Sequence, residues 1–131
     1  GYEHNTGNLL ITGGPAVNGV SQEFDQYFGI TYTHNPGISF EITCEGYSIF
    51  LDIAHDYPRR DICIVYLGQQ NNRNVLLIWG YGWRGTYAGT LMMANTSVWG
   101  SYSGHHMLLL EWTDWNSDGL VQISEILVTY P

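Results

Sequence analysis

Residues 39–53, S-F-E-I-T-C-E-G-Y-S-I-F-L-D-I, decide the fold class. Over Ser39–Cys44 the apolar residues Phe40, Ile42 and Cys44 alternate with Glu41 and Thr43, the period of a half-buried strand. Glu45-Gly46 supplies a turn, and Ser48–Ile53 answers as the hairpin partner. The same grammar extends outward. His55-Asp56-Tyr57-Pro58 breaks the chain before a strand at Asp61–Leu67, and the polar tip Gly68–Arg73 leads into another at Asn74–Trp79. Further strands are expected at Asn8–Thr12, Phe28–Thr33, Thr86–Met93, His106–Thr113 and Leu120–Tyr130, with a Gly-Gly-Pro turn at 13–15. A helix hidden within 105–118 is the alternative reading of that run. About nine short strands separated by turn signals predict an all-β, antiparallel β-sandwich or jelly roll. No repeat or linker interrupts the chain, so residues 1–131 are expected to form one domain.

Composition narrows the function. The chain carries 12 Asp+Glu against 4 Lys+Arg, a formal charge of −8, and all four cations are arginines. Without lysine there is no P-loop and no Schiff-base chemistry. The acidic balance disfavours nucleic acid and anionic membranes, which call for basic surfaces. Hydrophobic residues make up 44% and charged ones 12%, enough apolar surface to offset chain entropy. That composition suggests a small extracellular module; no apolar run is long enough to span a bilayer, and with no leader before Gly1 the chain reads as a mature form whose leader is gone or as one that never had a leader. The Asn95-Thr96-Ser97 sequon agrees weakly with secretion. Cys44 and Cys63 are disulfide candidates; two buried thiols or a bridge between subunits are the alternatives.

The sharpest motif is D-W-N-S-D-G-L-V-Q-I-S-E at 114–125, which matches a twelve-residue calcium loop. Its ligands would be Asp114, Asn116, Asp118, the Leu120 carbonyl and a bidentate Glu125. The flanks look like strands rather than helices, so a bare hairpin turning at Ser117–Leu120 is the competing reading. The second constellation is Trp79-Gly80-Tyr81-Gly82-Trp83-Arg84-Gly85-Thr86-Tyr87. Aromatics spaced by glycine form a platform for the apolar face of a sugar, with Tyr81 and Trp83 as rings and Arg84 as a hydroxyl partner. The amides of Asn71 and Asn72 at the hairpin tip are further candidates, because each offers donor and acceptor together. The competing readings are an aromatic core face and an ordinary polar tip. His105-His106 would face opposite ways on a strand, and no H-x-x-x-H spacing occurs, so no catalytic zinc is expected. Glu111 and Asp114 could be imagined as a glycosidase pair, but nothing in the sequence places them across a sugar. No nucleophile elbow is present. The expectation is that the chain is not an enzyme.

From Phe40 onward the chain resembles the farnesoic acid O-methyltransferase-like domain, a β-sandwich of secreted invertebrate proteins. The resemblance rests on F-E-I-T-C with S-I-F-L-D-I, on I-C-I-V-Y-L-G-Q-Q-N-N-R-N-V-L-L-I, and on L-L-L-E-W-T-D-W-N-S-D-G-L-V-Q-I. Cys63 stands where the family has Glu, Gln69 replaces a Gly, and Ile123-Ser124 replaces the closing V-G. The profile is also similar to calcium-dependent galactose-binding lectins of sea anemones in size, fold class and calcium use. That resemblance implies a secreted, non-catalytic lectin for galactose-containing glycans, working as a homodimer with calcium, with Trp115 beside the metal as a stacking ring. Two alternatives stand beside it. One is an extracellular filament subunit that lends its N-terminal strand to a neighbour, and the other a carbohydrate-binding module of a polysaccharide-degrading enzyme.

Overall fold

The computed structural model describes residues 7–14, 19–95, 97 and 100–131. His4, Pro15 of the expected turn and Thr96 of the sequon lie outside the described residues. Among the described residues the elements are β1 (Leu9–Thr12), α1 (Gly19–Phe28), β2 (Thr31–Asn35), β3 (Ser39–Cys44), β4 (Tyr47–Asp52), α2 (Ile53–Asp56), β5 (Arg60–Gln70), β6 (Arg73–Gly80), α3 (Trp83–Ala94), β7 (Met107–Thr113) and β8 (Ile126–Tyr130). The strands form two sheets, one of order β1-β6-β5-β7-β8 and one of order β2-β3-β4. All pairings are antiparallel except β1 with β6. The expected β-rich, largely antiparallel two-sheet chain is therefore present.

Both hairpins read from the sequence form as expected. Phe40 pairs Leu51 and Cys44 pairs Tyr47, across a turn in which Glu45 and Gly46 have φ of 55° and 83°. Gln70 pairs Arg73 across Asn71 and Asn72, at φ of 51° and 65°. Two successive positive φ values match the right-handed twist of the flanking strands, and asparagine and glycine tolerate them best. β5 lies at the middle of the larger sheet. Its residues Asp61 to Tyr66 are all buried, as for a strand covered on both faces.

Those two faces carry separate cores. On one, Ile62, Ile64, Val75, Leu77 and Met107 meet Phe24 of α1 and the inner residues Phe40, Ile42, Ile49 and Leu51 of the smaller sheet. On the other, Cys63, Val65, Ile78, Leu108 and Leu110 pack under Ala88 and Met92 of α3. α3 also connects β6 to β7, which run the same way on either side of β5.

Three expectations are corrected. The strand expected at Thr86–Met93 is the helix α3, because its inward face is built of Gly85, Ala88, Gly89 and Met92 at helical spacing. Small residues let it approach closely: a Cβ on Gly89 would fall 2.5 Å from Cys63 Sγ and 2.7 Å from Ile78 Cγ2. Residues 19–28 form α1 rather than a connection between strands, and Phe28, expected to open a strand, closes it. α1 turns Ser21, Phe24 and Asp25 inward. The disulfide is absent. Cys44 and Cys63 are free and fully buried, in the cores on opposite faces of the larger sheet, which also rules out a bridge between subunits.

Candidate functional site

β1 and β6 are parallel neighbours, so their C-terminal ends open side by side, and a cavity of about 650 Å³ lies there. Ligands of open sheets sit in such a place, in the crevice beyond the carboxyl ends of parallel strands. The end of β1 contributes Thr12, Gly13 and Gly14, and the end of β6 contributes Trp79, Gly80, Tyr81 and Gly82. Tyr32 and His34 from β2 and Phe40 from β3 form one wall. α3 forms the other with Trp83, Thr86, Tyr87 and Thr90, which its periodicity places on one face. Among the described lining residues there is no acid, lysine or arginine.

The inner rings brace one another. Phe40 lies 5.0 Å from Tyr81 and 6.2 Å from Trp79 between centroids, and His34 lies 5.5 Å from Tyr81. Trp79 is fully buried, and its Nε1 donates to Asp25 Oδ1 at 2.9 Å. Burial pushes the Asp25 carboxyl up to about 7, against the pull of that hydrogen bond, and its Oδ2 has no hydrogen-bond partner among the described residues. On the other wall Trp83 and Tyr87 are 60% and 50% exposed, with the Arg84 guanidinium over one face of the Trp83 ring.

The turn from β6 into α3 holds its shape through a buried anion. Asp61 on β5 is fully buried and accepts the backbone N–H groups of Ile62, Gly82 and Gly85, the last at 2.8 Å. It does for the opening turn of α3 what a capping side chain does elsewhere, and it places negative charge at the positive end of the helix dipole. Burial raises the Asp61 carboxyl from its ordinary range, while the three N–H groups and Arg84 act the other way. Gly80-x-Gly82-x-x-Gly85 after a strand has the glycine spacing of a dinucleotide-binding turn, a signal the sequence reading passed over. Here the glycines make room for Asp61, Tyr57 and the Ile62 carbonyl, and Asp61 takes the N–H groups a phosphate would need.

Arg84 stands behind the wall rather than in the pocket. Its guanidinium lies 4.4 Å from the Trp83 ring and 5.9 Å from Trp112, and its Nε donates to the Gly119 carbonyl at 3.3 Å. It thus ties Trp83 to the loop between β7 and β8. Asn71 and Asn72 sit at the opposite end of β6, eight residues and roughly 25 Å from the pocket at about 3.3 Å per residue. Trp115 is 74% exposed and borders a separate hollow with His55, Arg59, Arg60 and Glu111. Of the six sugar-binding candidates, only Tyr81 and Trp83 line the aromatic pocket. Sequence reasoning missed Tyr32, His34 and Phe40 opposite them.

The 114–125 loop brings Asp114, Asp118 and Glu125 together, with one oxygen of each within 4.8 Å of the others. Asp114 and Glu125 are buried, and Asp118 is exposed. Loop N–H groups aim the carboxylates: Asp118 N and Gly119 N donate to Asp114, and Leu120 N to Asp118 Oδ1. That last bond, chiefly, holds the Asp118 carboxyl below its ordinary value. Asn116 spans the loop, its Oδ1 accepting from Asp118 N and its Nδ2 donating to Gln122. Glu125 Oε1 accepts from Trp112 Nε1 and Gln122 N, and Oε2 from Trp115 N. With two lone pairs per oxygen, only Oε2 keeps room for a further partner. The loop is flanked by the strands β7 and β8, but the strand expected from Leu120 begins only at Ile126, after a short 3₁₀ turn at Ile123–Glu125.

No protein-family model matches the chain, and no curated protein or solved structure matches it.

Proposed function

We propose that this chain is a non-catalytic carbohydrate-binding module, a β-sandwich-type lectin that takes neutral galactose-type sugars in the aromatic pocket and calcium in the 114–125 loop. The observation that carries the reading is the lining: ring faces, glycine backbone and threonine hydroxyls, with no acid, lysine or arginine among its described residues. A charged ligand there would lose its hydration without a compensating partner. A sugar loses little, because its C–H face packs on rings while its rim of hydroxyls stays wet or meets threonine. Galactose, whose axial hydroxyl leaves one face of the ring clear, suits such stacking.

The loop's donor set fits a hard cation. Ligands of one calcium at Ca–O distances of 2.3–2.6 Å lie at most about 5.2 Å apart, and one oxygen each of Asp114, Asp118 and Glu125 falls within 4.8 Å of the others, inside that limit. Glu125 would contribute a single oxygen rather than two. The pocket lining includes no loop residue, so the cation would fasten the loop that anchors Arg84 rather than touch the sugar. The module would act outside the cell as a homodimer, since repetition is how one weak sugar site gains strength.

One observation favours a filament subunit as second reading. β1 is a four-residue edge strand whose sheet neighbour among the described strands is β6, and such a strand could be lent to a neighbouring copy. Open-ended polymers in sedimentation would favour that reading, and binding confined to insoluble polysaccharide would favour an enzyme-attached module.

Calorimetric titration of galactose, lactose, glucose and mannose, each with calcium and with chelator, tests the proposal. Saturable heat with galactose and lactose in calcium is expected, and no heat with any sugar contradicts it. Asp118→Ala separates the cation from the fold, because Asp118 is exposed whereas Asp114 and Glu125 are buried. It should abolish calcium binding at this loop with little loss of stability in chelator; unchanged calcium affinity would refute the assignment.

A further inference from the structure

The two walls of the pocket differ in kind, and neither continues the other. The sheet-side wall is a braced cluster in which Tyr81 packs on Phe40 and His34 above fully buried Trp79. The helix-side wall is the exposed pair Trp83 and Tyr87, one turn apart on α3, continued by Thr90. Between the walls the floor is Gly13, Gly14, Gly80 and Gly82, which place no side chain in the way. A cavity of about 650 Å³ lies within the range that holds drug-sized ligands, well beyond the needs of one hexose.

Resting on the carbohydrate reading above, we propose that the pocket is a two-subsite cleft for an uncharged glycan of at least two sugar units. One ring packs on Tyr81 in the inner subsite, and the next packs on Trp83 and Tyr87 in the outer one. The glycosidic bond between them crosses the glycine floor. The lack of lysine and arginine among the described lining residues sets the class, since a uronic or sialic acid carboxylate would find there no permanent cation, only the His34 ring.

The test is a calorimetric series on the intact chain with galactose, lactose, a neutral galactose-terminated trisaccharide and sialyllactose. Lactose should bind about tenfold more tightly than galactose, the scale of one added ring stacking interaction. Sialyllactose should bind no better than galactose. Tyr87→Ala, on an exposed helix position, should erase the gain from the second unit, so that lactose binds this variant no more tightly than galactose binds it. Equal affinity for galactose and lactose would overturn the second subsite while leaving the lectin reading standing. Silence with every glycan, or saturation by a proline-rich peptide instead, would overturn both. Circular dichroism of Tyr87→Ala guards against misfolding; if that variant is unfolded, Trp83→Phe replaces it and should cut the lactose gain in part.

Discussion

The Asp61 carboxylate lies against the backbone of Gly85, accepting its N–H at 2.8 Å, and a Cβ on Gly85 would come within 2.9 Å of the Asp61 Cγ and 2.4 Å of the Ile62 carbonyl. This contact seats α3, and with it Trp83 and Tyr87, at the pocket. Gly85→Ala should destabilise the fold by about 1–3 kcal/mol, because the neighbouring atom is backbone and cannot swing aside. Asp61→Ala should cost at least as much, since it leaves three N–H donors without their acceptor at about 1–3 kcal/mol for each buried group. Urea unfolding of both variants checks this. Wild-type stability in Gly85→Ala would mean that α3 is not held as described.

A pH dependence follows from Asp25. Its carboxyl is pushed up from 3.8 to about 7 by burial, so between those values the folded chain holds a proton that the unfolded chain has released. Stability then falls as pH rises from about 4 to 7, the slope being set by the extra proton in the native state. Asp25→Asn keeps an oxygen for Trp79 Nε1 and removes the buried charge, so it should flatten that slope. Denaturant midpoints at pH 4, 5.5 and 7 for both proteins make the comparison. An unchanged slope would place the titration elsewhere.

Much of the strand grammar was legible because it rests on alternation and turn residues. Phe40, Ile42 and Cys44 point inward as their period requires, and Asn71-Asn72 sits at the positive-φ turn its chemistry suits. The two longer helices were missed for different reasons. α3 faces the sheet with glycine and alanine and so lacks the apolar 3.6-residue period that marks a helix. α1 does carry that period in Val20, Phe24, Tyr27 and Phe28, and the signal was passed over between two strand-like runs. The site was half legible. Tyr81 and Trp83 stand out locally, but Thr12, Tyr32, His34 and Phe40 join them only because β1 pairs with β6 and the smaller sheet packs across it. The cysteines show the same limit: the two strands' alternation leaves open which layer each thiol enters.

Both thiols should therefore be inert in the folded chain. Burial raises the Cys44 thiol to about 11 and Cys63 further still, and the thiolate is the reactive species. A thiol reagent should label neither residue in buffer and both in denaturant, and the chain should migrate identically with and without reductant. Rapid labelling in buffer, or a band that reductant shifts, would contradict the two-core arrangement.

The central claim is that sugar enters between Trp83 and Tyr81, away from the cation loop. It is tested most directly by the indole N–H signals in a ¹⁵N-correlated spectrum, assigned by single tryptophan-to-phenylalanine variants and followed as lactose is added in calcium. Trp83 should shift and saturate. Trp112, bonded to Glu125 in the core under α3, and Trp115, exposed beside a different hollow, should stay in place. A Trp83 signal unmoved at saturating lactose, or a shift confined to Trp115, would contradict it.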